Sequence, residues 1–364
     1  MATQSAHTVQ SPGTKKPLVR RRAPDRSQRT RHVVQGFFVV LNLWIGLQFF
    51  LWTRYFERGA TGFTVSRPPG VEGWLPIAGL MNTKYLLLTG HVPAIHPAAM
   101  FLFIGFMLMS LLLKKAFCSW LCPVGTFSEF LWKLGRRVFG RNLRLPRWLD
   151  IPLRGLKYLL LDLFVAVIGV MSASALQDFM ATPYGLVADV KMLSFFRDIG
   201  ITAAIVIGLF VLLSTLVQNF WCRYLCPYGA LMGLASLLSP FKIRRDQDAC
   251  IDCGKCARAC PAGIAVDKLV QIRTVECNAC MECVAACSAQ NALQFALPPR
   301  RAAAPADRWR RRVLSPLAIC GVLAYIFFGL VLFARTTSHW QTNLPQSVYL
   351  ELVPRANQLT HPGM

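Results

Sequence analysis

Apolar residues run along this chain in stretches too long for strands or for the amphipathic helices of a water-soluble core. About 20 apolar helical residues cross a hydrocarbon layer about 30 Å thick. Five stretches approach that length: residues 36–52, 97–113, 156–176, 200–217 and 313–333. A sixth, residues 74–89, is interrupted by Asn82, Thr83 and Lys84. That interruption predicts an interfacial or re-entrant segment, because unsatisfied polar groups are costly among lipid tails.

The polar positions between these runs set an orientation. Of the 40 Lys and Arg, eight precede residue 36, ten lie in 114–157 and fourteen in 220–312, leaving eight for all other loops and the tail. Basic loops stay cytoplasmic. Five spans therefore predict a cytoplasmic N-terminus and a periplasmic C-terminus, in a multi-pass protein of the bacterial plasma membrane. The net charge of +23 then faces anionic lipid at the membrane flanks. No nucleic-acid recognition motif accompanies the basic runs, so no nucleic-acid partner is expected. With 54% hydrophobic residues the chain is neither an ordinary soluble domain nor a basic disordered tail. No A-x-A-like site follows the first apolar run, so the arm is expected to stay.

Between the fourth and fifth spans the composition turns mixed, and eight of the 13 cysteines fall there. Cys250, Cys253, Cys256 and Cys260-Pro261 follow the bacterial ferredoxin spacing; Cys277, Cys280, Cys283 and Cys287-Ser288 repeat it 27 residues later. The fourth cysteine of each run serves the other cluster. Cys250, Cys253, Cys256 and Cys287 are therefore expected to bind one [4Fe–4S] cluster. Cys277, Cys280, Cys283 and Cys260 are expected to bind a second. Zinc knuckles lack this triple-plus-one spacing.

A second repeat, offset by 104 residues, ends spans two and four: Phe117-Cys118-Ser119-Trp120-Leu121-Cys122-Pro123-Val124-Gly125 and Trp221-Cys222-Arg223-Tyr224-Leu225-Cys226-Pro227-Tyr228-Gly229. Cysteines four apart share a helix face. If the repeat is a pseudo-two-fold, the four thiols converge at the cytoplasmic surface. They suit a mononuclear iron or another thiophilic ion such as Cu(I) or Zn, a redox-active dithiol pair, or plain packing. Cys320, inside span five, reads as a small apolar residue.

The fold class expected is mainly α: about five transmembrane helices with a small α+β ferredoxin-like insert on the cytoplasmic side. Its parts are a basic disordered arm (1–35), a four-helix membrane domain (36–240), the insert (241–297), a basic linker (298–312), a fifth span (313–334) and an extracytoplasmic tail (335–364). Arg300, Arg301, Arg308 and Arg310–Arg312 offer lipid contact, or a dock for an acidic ferredoxin or flavodoxin. His91 and His96, near Glu72 and Trp74, are candidates for a quinone head group or a haem. Asp162 is a candidate for proton uptake from a quinol, or for pairing with Arg154 or Lys157. Asn42 and Gln48 are expected to bond between helices. There is no Walker loop, no GxGxxG and no serine nucleophile elbow.

Helical hairpins ending in CxxxCP, followed by a two-cluster ferredoxin insert, resemble the membrane polyferredoxin family represented by NapH, NosR and CcoG. The resemblance covers residues 36–297 and rests on the twelve cysteines named. It implies electron transfer between the quinone pool or cytoplasm and a periplasmic, membrane or metal-reducing partner, with a quinol dehydrogenase subunit or a metal reductase as the implied activities. Reduction and binding of copper at the CxxxCP cysteines is the alternative role. NosR-like proteins carry an extracytoplasmic flavin-binding domain, CcoG-like proteins an immunoglobulin-like domain, and NapH-like proteins usually four spans. This chain departs from all three, so the general role is expected to carry over better than any one pathway.

Overall fold

The computed structural model describes residues 19–22, 24–298 and 313–361. The arginines from Arg300 to Arg312 lie outside the described residues. Helix α1 (Ser27–Glu57) starts well before the first apolar run. Ser27, Arg31, Gln35 and Phe38 recur every three or four residues and form one buried face, which extends the helix past the apolar boundary. The arm is therefore not disordered up to residue 35. From Val19 onward it is ordered, and Val19–Arg21 pairs with the insert: Arg21 N–H donates to Ser288 O at 3.0 Å and Gln290 N–H to Val19 O at 2.9 Å.

A 3-10 turn (Pro69–Trp74) leads into α2 (Pro76–Thr89), which packs along α3 (Pro97–Leu113). The polar residues that interrupt this apolar stretch serve neighbouring backbone. Asn82 donates to the carbonyls of Ile95 and His96, each at 2.9 Å. Lys84 donates to those of Ile168, Gly169 and Met171 at 2.8, 2.7 and 2.6 Å.

Then come α4 (Ala116–Trp120), α5 (Pro123–Phe139) and α6 (Arg147–Val170). The third apolar run was expected to continue to residue 176. Instead α6 stops at Val170, because Lys84 satisfies its final carbonyls, and the chain bends by 104° into α7 (Ala173–Ala181). Ser172 caps the new helix, its Oγ accepting from Ala175 N–H at 3.1 Å. After α8 (Pro183–Leu186), α9 (Ala188–Arg197) bends by 82° into α10 (Ile201–Leu216), and α11 (Pro227–Ala235) follows.

The insert is closed by β1 (Lys242–Arg245) and β2 (Leu293–Ala296), antiparallel in the register Lys242 to Ala296. Between them α12 (Lys255–Ala259) and α13 (Glu282–Ala285) each carry the third cysteine of a run. The chain ends in α14 (Pro316–Thr336) and α15 (Gln346–Leu352). The structure is thus mainly helical. Among the described residues, α1 and α14 are each long and apolar enough to cross a membrane; α6–α7 and α9–α10 qualify only as bent pairs, and α3 is a 17-residue apolar helix.

One core unites the helices with the insert. Phe106, Met109 and Leu113 of α3 and Ile319 and Leu323 of α14 continue through Trp120 into Ile243, Ile272 and Phe295. A separate core lies at the other end of α1, where Phe49, Trp52 and Phe56 meet Val187, Val190 and Tyr349. Arg31 touches the insert and Phe56 the far core; 25 residues at 1.5 Å each separate them by about 38 Å.

Candidate metal centres

The two ferredoxin runs fold alike. Asp252 and Gly254 take left-handed backbone conformations, and so do Ala279 and Met281, each 27 residues on. Ala279 and Met281 accept positive φ without the freedom of glycine, so the loop shape is imposed at a cost. These turns bring the fourth cysteine of each run near cysteines of the other run. Cys287 lies within electrostatic reach of Cys250 and Cys253, and Cys256 within reach of Cys287 and Cys250. Cys283 lies within reach of Cys280, Cys260 and Cys277, and also of Cys256. The second set also lines a small cavity of about 20 Å³ with Ile243, Val266 and Ile272.

The CxxxCP repeat folds into two matching elbows. Cys122 N–H reaches back five residues to Phe117 O, and Cys226 N–H to Trp221 O, both at 3.0 Å. The prolines that follow open α5 and α11, at the position where their missing N–H costs nothing. Cys122 and Cys226 therefore stand at two helix N-termini. Gly229 N–H donates to Cys226 Sγ at 3.2 Å, and backbone N–H groups of Val124 and Gly125 bond Cys122 in the same way. Gly125 is sterically required: a Cβ there would stand 2.1 Å from Cys118 O.

The elbows converge. Cys222 lies within reach of Cys226, Cys122 and Cys118. All four line one cavity of about 140 Å³. Burial pushes the Cys118 thiol up to about 12 and that of Cys122 up to about 11, with Cys222 and Cys226 also raised. Such thiols make poor nucleophiles at neutral pH; a thiophilic centre, on binding, would displace their protons to solvent. Among the described residues no three Cys, His, Asp or Glu side chains close around a single ion.

Cavities link these sites in series. Cys280 of the second ferredoxin set lines both the 20 Å³ and the 140 Å³ cavities. Cys122 lines both the 140 Å³ cavity and a third of about 570 Å³. This large cavity is walled by Phe38, Leu41, Phe106, Tyr228 and Phe327, and reaches Asn42, Gln48, Arg67 and Trp74.

Other expected residues are placed differently. His96 is buried in an ion-pair network: Nδ1 faces Glu72 Oε1 at 3.2 Å and Nε2 faces Gly185 O at 2.9 Å. Arg67 Nη2 also lies 3.4 Å from Nδ1, a donor beside the two acceptors. The Glu72 carboxylate holds the imidazole above its ordinary value, against the penalty of burial. Arg67 bridges Glu72 and Asp189 at 2.8 and 2.7 Å. His91 and Asp162 are exposed, and neither lines the large cavity. Pairing of Asp162 with Arg154 or Lys157 does not occur: Arg154 pairs with Asp150, and Lys157 with Glu276 at 2.7 Å. Asn42 bonds from α1 to the 3-10 helix, whereas Gln48 bonds to the loop before it. Asn42 Oδ1 accepts from Trp74 Nε1 at 3.0 Å, and Gln48 donates to Ser66 O at 2.9 Å. Cys320 lies half-buried in α14, outside all three cysteine sets.

Two functional-site residues escaped the sequence reading. Arg31, fully buried, donates to Glu129 at 2.7 Å and to Glu282 at 3.2 Å, and its charge bears on Cys280. Its signal was the spacing Ser27, Arg31, Gln35, a polar continuation of the α1 face. Lys115 is only 5% exposed and lines the cysteine cavity, and its side chain makes no hydrogen bond or ion pair among the described residues. Nothing in the sequence marks it apart from its neighbour Lys114, which donates to Thr274 O at 3.1 Å.

This arrangement of paired cysteine elbows beneath apolar helices, with a ferredoxin-like insert against them, has relatives. The chain belongs to the ferredoxin-type membrane proteins that carry 4Fe–4S domains. A family model described as a 4Fe–4S binding domain matches residues 95–142 and again 199–246, and one described as a 4Fe–4S dicluster domain matches 242–288. YccM of Escherichia coli, described as a candidate electron transport protein, is 49% identical over 331 residues, 91% of either chain. The ferredoxin-type protein NapH of the same organism is 27% identical over 223 residues, 59% of this chain and 73% of NapH. The regulatory protein NosR of Pseudomonas aeruginosa is 29% identical over 216 residues, 58% of this chain and 29% of NosR. No solved structure matches the chain.

Proposed function

We propose that the protein passes electrons between a membrane quinone and a cytoplasmic redox partner through two [4Fe–4S] clusters in the insert. One set is Cys250, Cys253, Cys256 and Cys287; the other is Cys260, Cys277, Cys280 and Cys283. When bound, the clusters supply one-electron oxidation and reduction. The observation that carries this reading is the series of cavities joined by shared cysteines, from the buried ferredoxin set through Cys280 and Cys122 to the 570 Å³ cavity.

That cavity has the size and the apolar walls of a small-molecule site. Phe106, Phe117 and Tyr228 pack as an aromatic wall at its Cys122 end, with Phe106 and Phe117 stacked at 3.9 Å. Asn42, Trp74 and Arg67 set polar atoms at the other. An isoprenoid quinone matches such a site, with a polar head on a long apolar tail. On this reading α1, α3, α6, α10 and α14 are five spans in the bacterial plasma membrane, with the insert cytoplasmic and the C-terminus periplasmic. The basic loops on the insert side support that orientation.

The test is electron exchange. Protein reduced with dithionite, freed of reductant and mixed anaerobically with a short-chain quinone should lose its reduced-cluster signal. Leu41→Trp and Val331→Trp, which fill the large cavity, should slow that loss by at least about tenfold without loss of iron. Wild-type clusters that neither pass electrons to quinone nor accept them from quinol would overturn the reading.

A further inference from the structure

We propose that Cys118, Cys122, Cys222 and Cys226 together ligate one further [4Fe–4S] cluster, shared between the two CxxxCP elbows, with Lys115 as its buried counter-cation. This rests on the electron-transfer reading and adds a site between the insert and the large cavity.

Three observations carry it. The first is a count. Each stretch matched as a 4Fe–4S binding domain, residues 95–142 and 199–246, contains only two cysteines. Neither can supply the four thiolates of such a cluster. The two stretches together can, and the fold brings their four sulfurs to one cavity.

The second is volume. The four cysteines line a cavity of about 140 Å³ together with residues such as Trp132, Trp221 and Glu276. A single tetrahedral ion held by thiolates at about 2.3 Å needs no such space. For scale, one water's share of liquid volume is about 30 Å³. The opening suits a group of several atoms.

The third is charge. Lys115 lines this cavity at 5% exposure, and its side chain makes no hydrogen bond or ion pair among the described residues. Its charge bears on Cys118, Cys222 and Cys226 as well as on Glu276, while Glu129 and Glu282 pair with Arg31 and Lys133. A cluster held by four thiolates is net negative, and Lys115 is placed to offset that charge. The N-termini of α5 and α11 reinforce the preference, since both direct backbone N–H groups at the sulfurs. On ligation four S–H bonds break and four Fe–S bonds form, releasing four protons, while Lys115 stays charged. Placed here, the cluster closes the gap between Cys280 and the cavity wall at Cys122.

The experiment counts atoms. Full-length protein, purified anaerobically, is assayed for iron, acid-labile sulfide, copper and zinc, and examined by electron paramagnetic resonance. About twelve irons and about twelve sulfides per chain are expected, against about eight of each for the insert alone. Cys118→Ser and Cys222→Ser should each lower both counts to about eight and erase the same signal, because the cluster is shared. Lys115→Gln should keep the counts and lower the midpoint potential of that signal, because a cation stabilises the reduced, more negative form. A wild-type count of eight and eight overturns the proposal. So does one extra iron, copper or zinc without extra sulfide, which marks a single-ion site. Different signals lost in the two serine variants would mean separate centres, and overturn the sharing. The wild-type sulfide count stands whatever the variants do. No quinone enters these assays, so failure of quinone exchange and failure of the cluster are read separately.

Discussion

The two ferredoxin runs have the same cysteine spacing and the same left-handed turns, but opposite surroundings. In the first set Cys253 is exposed and Cys250, Cys256 and Cys287 are partly so. In the second Cys260, Cys277 and Cys283 are buried. Helices outside the insert make the difference. Gln28 of α1 donates to Cys280 O at 2.9 Å, Trp120 of α4 to Ala279 O at 3.2 Å, and Ser119 to Asn278 O at 2.5 Å. Local spacing selects a cluster; packing selects its neighbours. One set is left facing solvent, and the other is sealed against the elbows.

Loss of a ligand should show this asymmetry most strongly. Cys280→Ser is expected to erase the signal of the buried set and slow electron exchange with quinone by at least about 100-fold. Cys253→Ser should erase the signal of the exposed set but leave dithionite-to-quinone transfer close to wild type. Equal effects on exchange would break the comparison. A milder probe is chemical access: a water-soluble oxidant such as ferricyanide should bleach the exposed set at least about tenfold faster, followed by visible absorbance and resonance signals. Equal rates would show that packing does not shield the inner set.

Charge offers a finer test. Arg31 is fully buried and its positive charge bears on Cys280. Arg31→Gln should lower the midpoint potential of the buried set by on the order of 50 mV and move the exposed set far less, as redox titration would show. The smallest effect on the comparison should come from the far core. Glu72→Gln should destabilise the protein by about 3 kcal/mol, read from thermal unfolding, because it strands Arg67 and His96. Both cluster signals should survive it unchanged. The same network predicts a pH window. Arg67 and His96 hold the Glu72 carboxyl down to about 2, so its contribution is complete above the ordinary carboxylate range and fades as pH falls towards 2. His96 is raised, so its contribution is complete below its ordinary value and is lost as pH rises through the raised one. Hydrogen-exchange protection around Tyr349, corrected for the intrinsic rate at each pH, should be greatest between those limits.

The legible parts of this molecule were those encoded at short range. Ligand spacing and apolar run length are local, and they announced the iron–sulfur character of the cysteine runs and the mainly helical fold. What escaped depends on partners far along the chain. The end of α6 is set by Lys84, and the order of the arm by Ser288–Gln290. His96 looked like an interfacial ligand because Glu72 was visible and Arg67, Asp189 and Gly185 were not. Lys115 and Arg31 looked like two more basic flanking residues. Only the fold shows that one is enclosed with four thiols, and that the other pins α1 to the insert.

The short pairing of Val19–Arg21 with Ser288–Gln290 has a consequence in time. A chain is synthesised at about 5–20 residues per second, so the partner strand emerges roughly 15–50 seconds after the arm. Throughout that interval α1 is already made, while the edge that completes the arm does not yet exist. Docking of the arm therefore has to wait for every element from α1 to α13 to be made.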